Sequence, residues 1–470
     1  MKTYKVKLNG KELNVYTTRV SAMPFNKVFD GVQRPIDQTE VAYFVTADIS
    51  ASAIMEITVN EGFENYEIRP LEYNLSDHRE SNTVRLTIDK PMQFTFEADG
   101  FHNALHIFIN EPSIKPNGDV LYYGKGEHNA GLIWLESGQT LYLEEGARVY
   151  GIIYAKDATD VKIAGRGIID SSIYRRGDDP KEGSADVFDE MERRGAPVEL
   201  KEKGHLCSSI VLYNCKNVYV EGITVVDSMF WAFTVRNHCE NIIINNIKII
   251  GQWRYNSDGI DICASKNVTI ENSFIRSFDD CFVARAPYLT GEFKNVENIK
   301  VKNCVLWCDW GKSIEIWCGD KPCAIRNITF EDIYLIRLSY IGINITTWYG
   351  SEMSLVENIV YKNIYFNCDS LDRYMNILNQ TEKTPIYVNR HKKEMQTVHI
   401  APEKLGKAVG NQQVSKLDNM DEIKSCYRNI IFDNVHTNEE SPIINIADGD
   451  DNLEIYGIVA KGCDFVISKT

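Results

Sequence analysis

An asparagine recurs along this chain at a near-constant interval, and that recurrence limits the fold more than any other feature. The pattern Asn-[Ile/Val]-x-[apolar]-x-[Asn/Asp/Gly]-x-x-[apolar] begins at Asn217, Asn241, Asn267, Asn298, Asn327, Asn358 and Asn429, with most spacings between 24 and 31 residues. A weaker copy starts at Asp160. Within each copy apolar and polar residues alternate with a period of two, and no stripe with the 3.6-residue period of a helix persists. A unit of this size cannot bury its apolar face alone, whereas stacked on its neighbours it can. The expected architecture is a right-handed parallel β-helix, with each recurring Asn in a tight turn where its side chain bonds the backbone and the Asn of the next coil.

The first part of the chain reads differently. Tyr4, Val6 and Leu8 alternate with Lys5 and Lys7, Asn9-Gly10 follows, and the alternation returns through Leu13 and Val15, which is the signature of a hairpin. Val84, Leu86 and Ile88 alternate in the same way, as do Met92, Phe94 and Phe96 after Lys90-Pro91. Short alternating strands separated by turns predict an N-terminal β-sandwich. The polar, proline-bearing stretch Glu111 to Gly118 lacks any period, so the boundary falls there. The chain is thus read as all-β, a β-sandwich over 1–118 and a right-handed parallel β-helix over 119–470. Two segments break the repeat, 171–205 and 380–424, and are read as cleft walls or partner contacts; a homo-oligomer is left open.

Composition narrows the partners. The 470 residues carry a net charge of -15, the wrong sign for neutralising nucleic-acid phosphates or anionic lipid, so neither a nucleic acid nor a membrane is expected as a partner. The first residues lack the apolar stretch of a secretion signal and no later run is long enough to span a bilayer, which predicts a cytoplasmic protein. The 12 cysteines occur singly or as Cys304-x-x-x-Cys308, without the paired spacing of a zinc site, and are read as buried thiols. Neither a metal nor a cofactor is expected.

The densest chemistry lies in two successive repeats, Trp253-Arg-Tyr255-Asn256-Ser-Asp258-Gly-Ile-Asp261 and then Ser277-Phe-Asp279-Asp280-Cys281 followed by Arg285. Asp258 and Asp279 are 21 residues apart, about one coil, and can occupy equivalent places on coils about 4.8 Å apart. Carboxylates crowded on one face repel one another and raise the pKa of at least one towards the range of a general acid. A proton donor and a water-activating base are what glycoside hydrolysis requires. Adjacent residues of a regular strand point to opposite faces, so Asp279 and Asp280 reach the same cleft only if the backbone bends between the strands.

Asn256-Ser-Asp258-Gly and Asp279-Asp280-Cys281 resemble the Asn-Thr-Asp-Gly and Asp-Asp-Cys motifs of polygalacturonases, glycoside hydrolase family 28. The β-rich N-terminal part, with Ala104 to Pro112 and Gly138 to Ala147, is similar to the dextranases and isopullulanases of family 49, which carry an N-terminal β-sandwich on a related β-helix. The resemblance implies an inverting glycoside hydrolase acting on an oligosaccharide or polysaccharide, in which Asp279 is the general acid and Asp258 and Asp280 activate the water. Asp261 is read as supporting Asp258.

The departures from the family 28 pattern bear on the substrate. Trp310-Gly311 stands where those enzymes carry Gly-His-Gly, and Asn344-Ile-Thr346-Thr-Trp348 where they carry Arg-Ile-Lys-Thr-Trp. Replacing an Arg and a Lys by Asn and Thr removes the cations that grip a uronate, so the expected substrate is a neutral, α-linked glucan of the dextran or isomalto-oligosaccharide kind, with Arg285 and Lys312 as the remaining cations. Trp253, Trp310 and Trp348 are candidate stacking platforms for sugar rings, and Tyr255, Asn256 and Glu315 candidate hydroxyl ligands. The alternatives are a polygalacturonase-like hydrolase of uronate-containing glycans, a polysaccharide lyase or epimerase, and a carbohydrate-binding β-helix without turnover.

Overall fold

The structure, a computed structural model, describes residues 1–22, 35–118, 120–174, 185–197, 208–286, 295–318, 323–339, 341–347, 353–367, 396–400, 424–438, 444–446 and 453–466. Two five-stranded sheets occupy the N-terminal part, with strands between Tyr4 and Asn110, and pack face to face around Val6, Met55, Ile57, Leu86, Phe94, Phe96 and Ile107. The hairpin is present. Tyr4–Leu8 pairs antiparallel with Lys11–Glu12, and Asn9 and Gly10 both take the positive φ that a two-residue turn requires, 48° and 78°.

From Val120 onward the chain winds into a right-handed parallel β-helix whose coils present three faces. One coil comprises Ile210–Tyr213, Lys216–Glu221 and Thr224–Val226; the next comprises Phe233–Arg236, Glu240–Asn245 and Lys248–Ile250, each strand in parallel register with its predecessor. Alternate residues point inward to a single apolar stack that runs from Ile133 to Phe465. The recurring asparagines form a ladder at one corner. Asn241 donates to Asn217, Asn267 to Asn241, Asn298 to Asn267, Asn327 to Asn298 and Asn358 to Asn327, at 3.0 to 3.2 Å, each residue in the left-handed region. The ladder continues from Asn429 to Asn358 at 2.6 Å, although that rung joins residues 71 apart in sequence.

The sandwich lies against one face of the coil. Phe44, Phe108, Phe274, Val305, Trp307 and Ile336 share a buried cluster there. Alternation in Met92–Ala98 suggests a solvent face, yet Gln93, Thr95 and Glu97 are all buried. The sheet is covered on both sides, and its polar row meets polar partners from the coil. Gln93 donates to Asn246 and to the carbonyl of Asn272, and Glu97 pairs with Arg337, while Thr95 bonds His106 on the neighbouring strand Leu105–Asn110 of its own sheet.

The segment 171–205, read as a loop, contains the helix Ala185–Arg193. Its Val187, Phe188 and Met191 pack on Ile152, Tyr154, Val211 and Trp231, so it covers part of the coil face that bears the acidic residues. The helical spacing of those three apolar residues, and of Glu190 with Arg194, is the signal that reveals it. Most of 380–424 lies outside the described residues. All ten described cysteines are free, eight of them buried.

Candidate active site

Three chain bends on consecutive coils deliver the acidic residues to one face. Asp258 precedes the strand Ile260–Cys263, Asp279 and Asp280 lie between Phe274–Ser277 and Phe282–Arg285, and Trp310-Gly311 precedes Lys312–Cys318. Backbone bonds tie the bends together: the Gly259 amide donates to the Asp280 carbonyl at 2.7 Å, Asp279 to Ser257 at 3.3 Å and Cys281 to Lys312 at 2.9 Å. The bend at Phe278 to Cys281 answers the geometric problem of adjacent carboxylates. A Cβ built on Gly311 would lie 2.5 Å from Asp279 Oδ1 and 2.6 Å from Asp280 Oδ1, so both carboxylates turn to the same point. Only a residue without a side chain fits between them. Gly311→Ala is expected to push the two carboxylates apart and lower kcat/KM by about ten- to hundredfold. Turnover of the variant at the wild-type rate would show that the pair tolerates displacement.

Along the strands that follow, outward residues stand in register. One row runs Thr234, Asp261, Val283, Glu315, Asn344, and the next Arg236, Cys263, Arg285, Trp317. Arg285 lies 3.7 Å from Asp258 and 3.6 Å from Asp261, and its guanidinium carbon sits 4.8 and 4.7 Å from the ring centroids of Trp231 and Trp317. The two indoles thus hold the guanidinium beside the carboxylates. Asp280 is fixed by Lys312, whose amide donates to Oδ1 at 2.8 Å and whose ammonium lies 3.5 Å from Oδ2.

Burial sets the electrostatics. It pushes Asp258 well above the ordinary carboxylate range, with the charges of Asp261, Asp279 and Asp280 adding and Arg285 opposing. Asp261 is pushed up to about 8 by burial against the opposing Arg285, with Asp280 contributing to the rise. Neither oxygen of Asp261 nor Oδ1 of Asp258, all of them buried, has a hydrogen-bond partner within the protein. Glu315 rises to about 7 by burial, opposed by Lys312. Clustered carboxylates with separated environments are the arrangement that divides acid from base. Among the described residues no group of three His, Cys, Asp or Glu side chains is disposed to hold a metal ion.

The aromatic candidates are placed differently from expectation. Trp310 is 3% exposed, stacked on Phe278 at 5.4 Å with Tyr255 against its edge at 5.8 Å, so it supports the bend from beneath and offers no open face. Trp253 is 6% exposed, donates to Asp227 at 2.7 Å and stacks with Arg254 and Arg19, so it anchors its loop to the sandwich. Large indoles at a loop base gain more from packing than from waiting for a sugar. Asn256 sits half-buried at positive φ in the turn before Asp258. Asn344 is also corrected: its amide donates to both oxygens of Glu315, at 3.0 and 2.8 Å, and faces a carboxylate of the protein. Thr346 is in register with Trp317 on the strand Ile341–Thr347, and Trp348 lies outside the described residues. Gly311 and the Trp231–Arg285–Trp317 stack were not legible as a unit, because their meeting depends on the register between coils.

A parallel β-helix that brings acidic residues together on successive coils has the paired carboxylates that a glycoside hydrolase requires. A sequence profile of glycosyl hydrolases family 28 matches residues 140–436, and the chain belongs to that family. Among curated relatives, it is 31% identical over 153 residues to an exopolygalacturonase, clone GBGE184, of Arabidopsis thaliana, a match covering 27% of this chain and 36% of that protein. It is 30% identical over 147 residues to a polygalacturonase of Gossypium hirsutum, covering 26% and 36%. The matched region spans about a third of the length of these relatives. Among solved structures, Dex49A from Penicillium minioluteum superposes with a TM-score of 0.53 at 13% identity, covering 97% of this chain and 94% of that one, a likeness of fold that takes in the N-terminal sheets.

Proposed function

We propose that this protein is an inverting, polygalacturonase-like hydrolase of uronate-containing glycans. The observation that carries the reading is the convergence of Asp279 and Asp280 on one point beside Gly311, with Asp258 near enough for their charges to raise its pKa, in a chain whose family and curated relatives are hydrolases of this kind. Asp279 gives its proton to the leaving glycosidic oxygen, while Asp258 and Asp280 take a proton from the attacking water. Arg285 and Lys312, with side chains 14% and 13% exposed, are the cations available to the sugar carboxylate. Tyr255 and Asn256 border the cleft as hydroxyl ligands.

The expectation of a neutral glucan rested on the loss of the two cations at Asn344 and Thr346, with neutral groups left there for sugar hydroxyls. Of those groups the Asn344 amide is directed at Glu315, and Arg285 and Lys312 remain as cations beside the carboxylates. The family and relatives also favour the uronate alternative over a dextranase. The experiment is incubation with oligogalacturonate, dextran and isomalto-oligosaccharides, following new reducing ends and their first anomeric form by proton NMR. Cleavage of oligogalacturonate with inversion is expected. Cleavage of the neutral glucans alone would overturn the reading, and an unsaturated product absorbing in the ultraviolet would replace hydrolysis with elimination.

A further inference from the structure

Next to the catalytic carboxylates lies an ion pair that acid–base chemistry leaves unexplained. Lys312 Nζ is 3.1 Å from Glu315 Oε2 and 3.5 Å from Asp280 Oδ2. Glu315 is 1% exposed and clamped from the next coil by the Asn344 amide, whereas the Lys312 side chain retains 13% exposure. A fixed, buried carboxylate thus restrains an ammonium that can still reach the cleft. A carboxylate arriving on the glycan meets Lys312 already engaged, so it must compete with Glu315 for the same charge.

We propose that Glu315 is an internal competitor for Lys312, so that recognition of a substrate carboxylate by Lys312 is coupled to proton uptake by Glu315. This rests on the reading above that the substrate carries a uronate. The groups that face Glu315 are Lys312 and Asn344 at the positions given and Asp280 beyond Lys312, while the phenol of Tyr361, whose pKa the Glu315 charge helps to raise, belongs to the apolar interior of the coil. Val283 separates it from Asp261 along the row, and His399 occupies the next backbone rung after Asn344. Burial brings the titration of Glu315 to about 7, near neutral pH. Below that pH its carboxyl is neutral, still accepts from Asn344, and releases Lys312 to the substrate. Above it the internal ion pair holds Lys312 back. Substrate binding therefore weakens as pH rises through this range, and binding of substrate raises the pKa of Glu315 by the same linkage.

The test is the binding of trigalacturonate to Asp279→Asn by calorimetry between pH 5.5 and 8.5, with KM and kcat of the active enzyme measured in parallel. A one-unit coupling between Glu315 and substrate corresponds to a fall in affinity of about tenfold across the titration. With Glu315→Gln, which keeps an oxygen for Asn344, affinity is expected to stay at its low-pH value throughout, and the ratio of variant to parent KM, but not of kcat, to change with pH. Lys312→Met should bind about tenfold more weakly at low pH and lose the pH dependence, and Lys312→Arg should restore it. Parallel pH profiles for Glu315→Gln and its parent, or parental affinity in Lys312→Met with a parental melting temperature, would overturn the proposal. Failure of the reading it rests on is a separate result: the parent enzyme then neither binds nor cleaves trigalacturonate at any pH, and the coupling falls with it.

Discussion

Oligogalacturonate turnover by Asp279→Asn is expected to drop by about a thousandfold, while the protein keeps its fold and its affinity for the substrate. Asparagine has the size of aspartate, and Asp279 sits at a bend whose backbone bonds, from its own amide to Ser257 and from Gly311 to Phe278, do not involve the carboxylate. With Asp279 as the proposed proton donor, the loss is chemical. An amide beside the leaving oxygen has no proton of suitable acidity to give. The substitution also removes one of the negative charges that raise the pKa of Asp258, so that group is expected to titrate at lower pH in the variant. Reducing-end assays across pH, with far-ultraviolet circular dichroism as the control for folding, read both effects. Turnover within a few-fold of wild type would move the proton donor away from Asp279.

The second large effect is on stability. Arg276, Asp309, His106 and Trp307 are each completely buried between the sandwich and the coil. Arg276 reaches Asp309 at 3.3 and 3.4 Å and His106 at 3.3 Å and lies over the Trp307 ring at 4.0 Å, while Trp307 donates to Asp309 at 2.7 Å. Removing one member of a buried ion pair leaves the other without compensation, at a cost of about 3–5 kcal/mol. Arg276→Met is therefore expected to lower the melting temperature by several degrees. The sign of its pH dependence follows from Asp309. Burial against the opposing Arg276 already holds that carboxyl at about 6, above its value in the unfolded chain. Without Arg276 it rises further, so above pH 6 the folded variant binds a proton that the unfolded chain does not, and its stability falls as pH rises. The deficit against wild type should widen between pH 6 and 8, and Asp309→Asn added to Arg276→Met should narrow it. A deficit independent of pH would mean that lost packing over Trp307, and not the bare carboxylate, dominates. Asp309 adjoins Trp310-Gly311, so the same variant tests whether the sandwich helps seat the bend beside Asp279 and Asp280.

What the sequence made legible divides along physical lines. The coil was readable because Asn217 to Asn429 repeat one local event, a left-handed turn residue followed by alternating strand residues, and local events leave local signals. Asp258, Asp279 and Asp280 were readable because their motif fixes one coil of separation. The orientation of Gln93, Thr95 and Glu97 was not, since alternation reports which side of a strand is polar and is silent on whether a second domain covers it. The helix Ala185–Arg193 was hidden in a segment whose many charges resemble a solvated loop. Trp253, Trp310 and Asn344 were assigned to substrate on chemistry alone, while their partners Asp227, Phe278 and Glu315 come from neighbouring coils.

The asparagine ladder has a bearing on how such a chain can change. The rung from Asn429 to Asn358 closes as its neighbours do, although it skips more than twice as much chain as they do. Contacts between coils are thus indifferent to the amount of polypeptide inserted between them, because each rung needs only its own turn and the one beneath. Loop-closure entropy grows slowly with length, so a long insertion adds little penalty. Segments bordering the cleft can then lengthen, shorten or be exchanged while the carboxylates keep their rungs. Descent with altered substrate preference needs only new rims on an unaltered spine.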